Sequence, residues 1–149
     1  MAQTTGTITG YDMTIEYSTD GTTYTDISGS TNSVEPGGGT RKTGSQHTFG
    51  TDTPIVKAGR SEMVTVKIRA LYSETAAEAA ALFQAARDAM TPCYLRMRPK
   101  GALATYWQFV GGPGYITTNT APKIDSDNAA PIAIDLVWSG PNWTKSAQT

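Results

Sequence analysis

The sequence predicts a mainly β fold of the α+β class, with antiparallel strands, one flanking α-helix and one long glycine-rich loop. Three observations carry this. Apolar and polar residues alternate with period two over residues 11–18, 63–72 and 132–138, the pattern of strands with one buried face. A single stretch, residues 75–90, instead spaces its apolar residues by three and four, as one helix face does. Between Gly29 and Pro54 neither period exists: these 26 residues hold six of the fifteen glycines and, among clearly apolar side chains, only Val34 and Phe49.

With 149 residues, 38% of them hydrophobic and 17% charged, the chain fits one domain over residues 1–149 with a core of its own. The lone Cys93 excludes an internal disulfide and a thiolate metal cluster within one chain. Met1 to Thr7 carries neither a basic nor an apolar signal region, and no apolar run nears the roughly 20 residues that span a bilayer. The expectation is therefore a soluble protein made in the cytoplasm, without membrane contact. A formal net charge of -1 argues against a nucleic-acid grip through a basic face.

Taken in order, Tyr11, Met13, Ile15 and Tyr17 define the apolar face of a first strand. Asp20-Gly21 reads as a tight hairpin turn, and Tyr24 and Ile27 lie on its partner. The segment 29–54 cannot bury enough surface to order itself, so it is read either as a mobile surface loop or as an arm ordered by a neighbouring subunit, anchored by Val34 and Phe49. Met63 to Tyr72 forms a long strand with Val64, Val66, Ile68 and Tyr72 on one side and Thr65, Lys67 and Arg69 on the other. Thr75-Ala76-Ala77-Glu78 matches a capping box, and the helix it opens runs to about Met90 with Ala79, Leu82, Phe83, Ala86, Ala89 and Met90 as its apolar stripe. Pro92 ends it. Short strands follow at 93–97 and 105–110, then a Gly111-Gly112-Pro113-Gly114 break and a run at 115–117. Ile132, Ile134, Leu136 and Trp138 share the face of the last strand, and residues 144–149 form a loose tail.

Catalytic patterns are not supported. His47, the one histidine, lies in the glycine-rich segment, where nothing holds a general base in place. Cys93 at the start of a strand reads as a buried, inert thiol. Asp125-Ser126-Asp127-Asn128 opens like a calcium loop, but Ala130 and Leu136 stand where the turn glycine and the bidentate carboxylate belong. Gly37 to Thr43 is similar to a phosphate loop, yet Arg41 replaces the required glycine and no strand-loop-helix context surrounds it. Asn142-Trp143-Thr144 is a sequon by letter only. The expectation is a protein that is not an enzyme, with no cofactor and no metal.

The element order, together with Tyr17-Ser18-Thr19-Asp20-Gly21-Thr22-Thr23-Tyr24-Thr25-Asp26-Ile27 and Ile134-Asp135-Leu136-Val137-Trp138-Ser139-Gly140-Pro141, resembles the major tail tube proteins of long-tailed, non-contractile bacteriophages (siphophages). That family shares its fold with contractile-tail tubes and with the tube protein of type VI secretion. The resemblance implies a β-sandwich or partial barrel with one flanking helix. It implies a virion tail protein assembled in the host cytoplasm, six subunits closing a ring by joining sheet edges, and rings stacking into a tube that conducts DNA without binding it specifically. Tape measure and tail terminator proteins are the further partners implied. The loop then reaches the adjacent ring, with Val34, Arg41, Lys42 and Phe49 as contacts. A lumen passing DNA should be neutral or acidic, which nominates Asp12, Thr14 and Glu16; Lys67 and Arg69 count against a uniformly acidic lumen if their strand lines it. Two rival readings are a terminator, neck or baseplate ring, and an immunoglobulin-like carbohydrate-binding module on a virion using Tyr106, Trp107, Tyr115 and Trp143.

Overall fold

A computed structural model describes residues 10–101, 106–118, 121–122 and 130–148. The calcium-loop-like run at 125–128 lies outside these residues, as do the start of the strand expected at 105 and the side chain of Tyr11. Among the described residues ten strands and one α-helix follow in order: β1 Thr14–Ser18, β2 Thr25–Asp26, β3 Thr31–Gly38, β4 Arg41–Thr48, β5 Thr51–Ser61, β6 Val64–Leu71, α1 Ala79–Asp88, β7 Cys93–Arg98, β8 Trp107–Ile116, β9 Ala133–Gly140 and β10 Trp143–Ala147. The main sheet runs β2-β1-β7-β8-β9-β6-β3, with β10 also paired to β8, and β4-β5 forms a separate hairpin. All pairings are antiparallel.

β8 is the strand on which the sheet folds over. Its residues 107–111 pair with β10, while Tyr115 and Ile116 pair with β9. One layer, β2-β1-β7-β8-β10, therefore faces another, β9-β6-β3, and the two do not close into a barrel. Ile15 and Tyr17 from the first layer meet Val66, Ile68, Ile134, Leu136 and Trp138 from the second in one core. α1 covers it through Ala79, Ala80, Phe83 and Ala86, the Phe83 ring meeting Tyr17 edge-on at 5.4 Å.

Several elements differ from expectation, each for a local reason. The first hairpin has a six-residue connection instead of a two-residue turn. Asp20 Oδ1 accepts the Thr22 and Thr23 amides at 2.8 Å, and Ser18 Oγ accepts that of Gly21 at 2.9 Å, which folds the loop around its own side chains. The helix begins three residues later than the capping box implied. Glu78 makes no side-chain cap; the Ala79 amide instead donates to Ser30 Oγ at 3.0 Å, from 49 residues upstream.

The Gly111 to Gly114 run does not end the strand: β8 continues through it with a bulge against β7. A Cβ on Gly111 would lie 2.7 Å from the Trp143 ring, and one on Gly114 2.5 Å from Trp138, so these glycines are where the strand backbone lies against two indoles. The expected loose tail is β10, and Gln148 beyond it is buried, its amide bonded to Tyr106 O at 2.9 Å. Most of segment 29–54 is also regular. β3 pairs with β6 in the main sheet, and β4 pairs with β5, so the glycine-rich loop is replaced by an edge strand and a hairpin.

Candidate assembly surfaces

The β3-β6 ribbon continues past the body as the β4-β5 hairpin. At the junction Gly38 and Gly39 take φ of 73° and 72°, a left-handed conformation that side chains resist. A Cβ on Gly38 would also lie 2.5 Å from Met63 O. Three contacts tie the root. The Gly39 amide donates to Met63 O at 3.1 Å and the Glu62 amide to Thr40 O at 2.8 Å; Thr40 Oγ1 donates to Glu62 Oε2 at 2.9 Å. Lys42 Nζ stands 3.8 Å from Glu62 Oε1.

Beyond the root the hairpin touches little of its own chain. Every β4 residue is exposed, Phe49 at the tip is fully so, and Ile55 and Val56 on β5 are 52% and 59% exposed. A two-stranded hairpin alone is at best marginally stable in water. Among the expected contact residues, Arg41 and Lys42 sit at its root and Phe49 at its tip. Val34 does not join them: it lies on β3, partly buried against the core.

The expected lumen residues are likewise dispersed. Asp12 is exposed and Thr14 half-buried, but Glu16 is only 9% exposed. The β1-β7 register sets Glu16 opposite Arg96, whose Nε donates to its carboxylate; Arg98 Nε lies 3.4 Å from the same oxygen. Arg96 also stacks 3.8 Å from the centre of the Tyr24 ring. Reading β1 alone missed both arginines, although Tyr94, Arg96 and Arg98 alternate with Cys93, Leu95 and Met97 in the sequence. On the other layer Lys67 and Arg69 project from β6 among opposite charges, with Glu35 opposite Lys67 in register and Asp135 3.9 Å from Arg69.

The layers differ at their edges. The β1 edge is sealed by β2 and by Ser28, whose Oγ accepts the Ile15 amide at 2.9 Å. Among the described residues, β3 pairs only with β6 and β10 only with β8, so one long edge of each is unpaired. An apolar groove of about 410 Å³ lies between them, walled by Val34 and Pro36 of β3 and by Met13, Met97, Pro99, Phe109 and Trp143.

Of the aromatic residues of the carbohydrate reading, Tyr106 and Trp107 line one pocket with Phe109, and Trp143 lies apart from them in the groove. Trp143 packs against Trp138 with ring centres 5.5 Å apart. Trp107 lies beneath Lys145 Nζ at 4.3 Å, and Tyr106 beneath Lys100 Nζ at 4.4 Å. Cys93 is buried, and desolvation pushes its thiol up to about 12. Among the described residues no helix is long and apolar enough to cross a membrane.

No protein-family model matches the chain, and no curated protein is significantly similar to it. Solved structures are similar in fold. A chain of the sheath-tube complex of the PVC extracellular contractile injection system, in its extended state, matches with a TM-score of 0.67 at 10% identity, covering 96% of this chain and 93% of that one. A chain of the anti-feeding prophage tube-terminating cap gives 0.67 at 10% identity, with coverage of 99% and 95%. A chain from the tail of an empty GTA particle, refined helically with C6 symmetry, gives 0.64 at 9% identity, with coverage of 95% and 98%.

Proposed function

We propose that this chain is a non-enzymatic structural subunit of a virion tail, closing hexameric rings that stack into a tube for DNA ejection. The observation that carries this is the β4-β5 hairpin: a largely solvent-exposed ribbon with Phe49 at its tip, on a fold similar along nearly its whole length to chains of a contractile sheath-tube complex and of a GTA tail. Such a ribbon gains its order from a second surface. The unpaired β3 and β10 edges supply the sites for joining subunits laterally, and Arg41, Lys42 and Phe49 those for joining rings. Val34 acts from the body side of that contact.

On the β1-β7 face Glu16 is held by Arg96 and Arg98, and Asp12, Thr14 and Glu16 remain the proposed residues of a wall past which DNA slides unbound. The tape measure and terminator proteins are the proposed partners inside and at the end of the tube, and a siphophage tail is the proposed setting. A tube-terminating cap is the second reading, favoured by the equally full coverage of the anti-feeding prophage cap chain.

Electron microscopy of the purified protein over a concentration series tests the assignment. Tubes support the first reading, and lone rings support the cap. Monomers at every concentration refute both. A variant with residues 42–60 replaced by Asn-Gly, which keeps Arg41 opposite Ser61, should fold but not stack.

A further inference from the structure

We propose that the apolar groove between β3 and β8-β10 is the receptor for the hairpin tip of a second copy, with Phe49 inserted between Val34, Pro36, Phe109 and Trp143. This rests on the stacked-ring reading and names the surface that the hairpin meets.

Knob and hole are both unpartnered in the single chain. Phe49 covers nothing and stands fully in water, and the groove exposes almost only apolar atoms. The groove cannot readily be filled from within. Pro36 in its wall is two residues from Gly38, the root of the hairpin, whereas β4 carries the tip about 26 Å out, eight residues at ~3.3 Å each.

Charge fits the pairing at two scales. Segment 41–61 holds Arg41, Lys42, Lys57 and Arg60 against Asp52 alone, a net charge of +3, which leaves -4 on the rest of a chain whose total is -1. At the tip the sign reverses. Asp52 lies three residues from Phe49, and Lys100 and Lys145 line a neighbouring pocket that shares Pro99 and Phe109 with the groove. The acidic tip thus meets a basic rim while the basic shaft crosses an acidic body.

The test is cross-linking between two separately purified variants, Phe49→Cys and Met13→Cys, mixed at assembling concentration with a short bis-maleimide. The native Cys93 is buried and stays silent. Cross-linked dimers should form in the mixture, and peptide mapping should join residue 49 to residue 13. The control Ile132→Cys, exposed on another face, should not couple to residue 49. Phe49→Asp should leave the melting temperature of the monomer unchanged and raise the critical concentration for tubes by about 10- to 100-fold, the burial of one aromatic side chain. Normal tubes from Phe49→Asp, or coupling of residue 13 to any other segment, overturn the groove while leaving the ring assignment standing. Wild-type protein that never assembles overturns both.

Discussion

Gly140→Ala is the sharpest probe of the packing around Trp138. A methyl group at this position would overlap Cη2 of the Trp138 ring and lie 2.6 Å from Cζ2, far inside van der Waals contact. The indole has nowhere to retreat: it is fully buried, its Nε1 donates to Cys93 O at 3.2 Å, and its other sides meet Gly111, Gly114 and Trp143. Overpacking of this kind costs about 1–3 kcal/mol. For a chain of this size each kcal/mol moves the melting temperature by about 2–4 °C, so a fall of about 2–12 °C is expected by calorimetry. Gly44→Ala is the matched control. Its Cβ meets nothing within 4 Å, and the change should stay within about 0.5 kcal/mol of wild type. Trp138→Phe removes the benzo ring that carries Cη2 and Cζ2. A double-mutant cycle should therefore show a favourable coupling of about 0.5–3 kcal/mol between positions 138 and 140. Equal melting temperatures for Gly140→Ala and Gly44→Ala, or additive effects in the cycle, would refute this account of the glycines.

Three further changes test separate contacts. Ser30→Ala removes the hydroxyl that receives the Ala79 amide and should cost about 0.5–2 kcal/mol by chemical denaturation, with helix loss visible in far-ultraviolet circular dichroism. Glu16→Gln leaves Arg96 and Arg98 side by side without their anion and should cost about 1.5–3 kcal/mol, whereas Asp26→Asn on the exposed β2 should cost much less. Cys93 should resist thiol reagents in the folded protein and react at once in denaturant. Its thiol ionises at about 12 in the fold and near ~8.5 in the unfolded chain. Its contribution to stability is therefore whole below about pH 8.5 and is lost as pH rises toward 12; replacing Cys93 with Ala should flatten that part of the pH profile.

Burial decides which of these elements were legible in the sequence. β6, β7 and β9 each have one face in the core, so alternation marks them, down to the exposed Lys67 and Arg69 on β6. β4 reads Arg-Lys-Thr-Gly-Ser-Gln-His-Thr with every residue exposed, and a strand that buries nothing leaves no period to find. Its regularity comes from pairing with β5. The start of α1 was misread because its cap comes from Ser30, a contact that no local pattern contains. Glycine misled at β8, where it signals close backbone approach to Trp138 and Trp143 and not a turn. At the assembly surface Phe49 was visible as a lone aromatic in a polar stretch, while the arginine partners of Glu16 emerge only from the β1-β7 register.

The distribution of sealed and open edges fixes the kind of contact that copies can make. An isologous pair through β1 is hindered, because Ser28 already satisfies the Ile15 amide and β2 pairs with Glu16 and Tyr17 on that edge. β3 offers an open edge, but Pro36 has no amide to donate, so indiscriminate strand addition along its whole length is disfavoured. The hairpin tip and the apolar groove are different surfaces about a hairpin length apart. A contact between them is heterologous: each copy gives with one surface and receives with the other. Unless two copies exchange tips reciprocally about a two-fold axis, such a contact propagates, closing into a ring where the rotation divides a full turn and extending as a stack where it carries a translation. On the proposed stacked-ring reading, the displacement of about 26 Å between root and tip supplies that translation, so the hairpin would serve growth along the axis and the unpaired β3 and β10 edges closure around it.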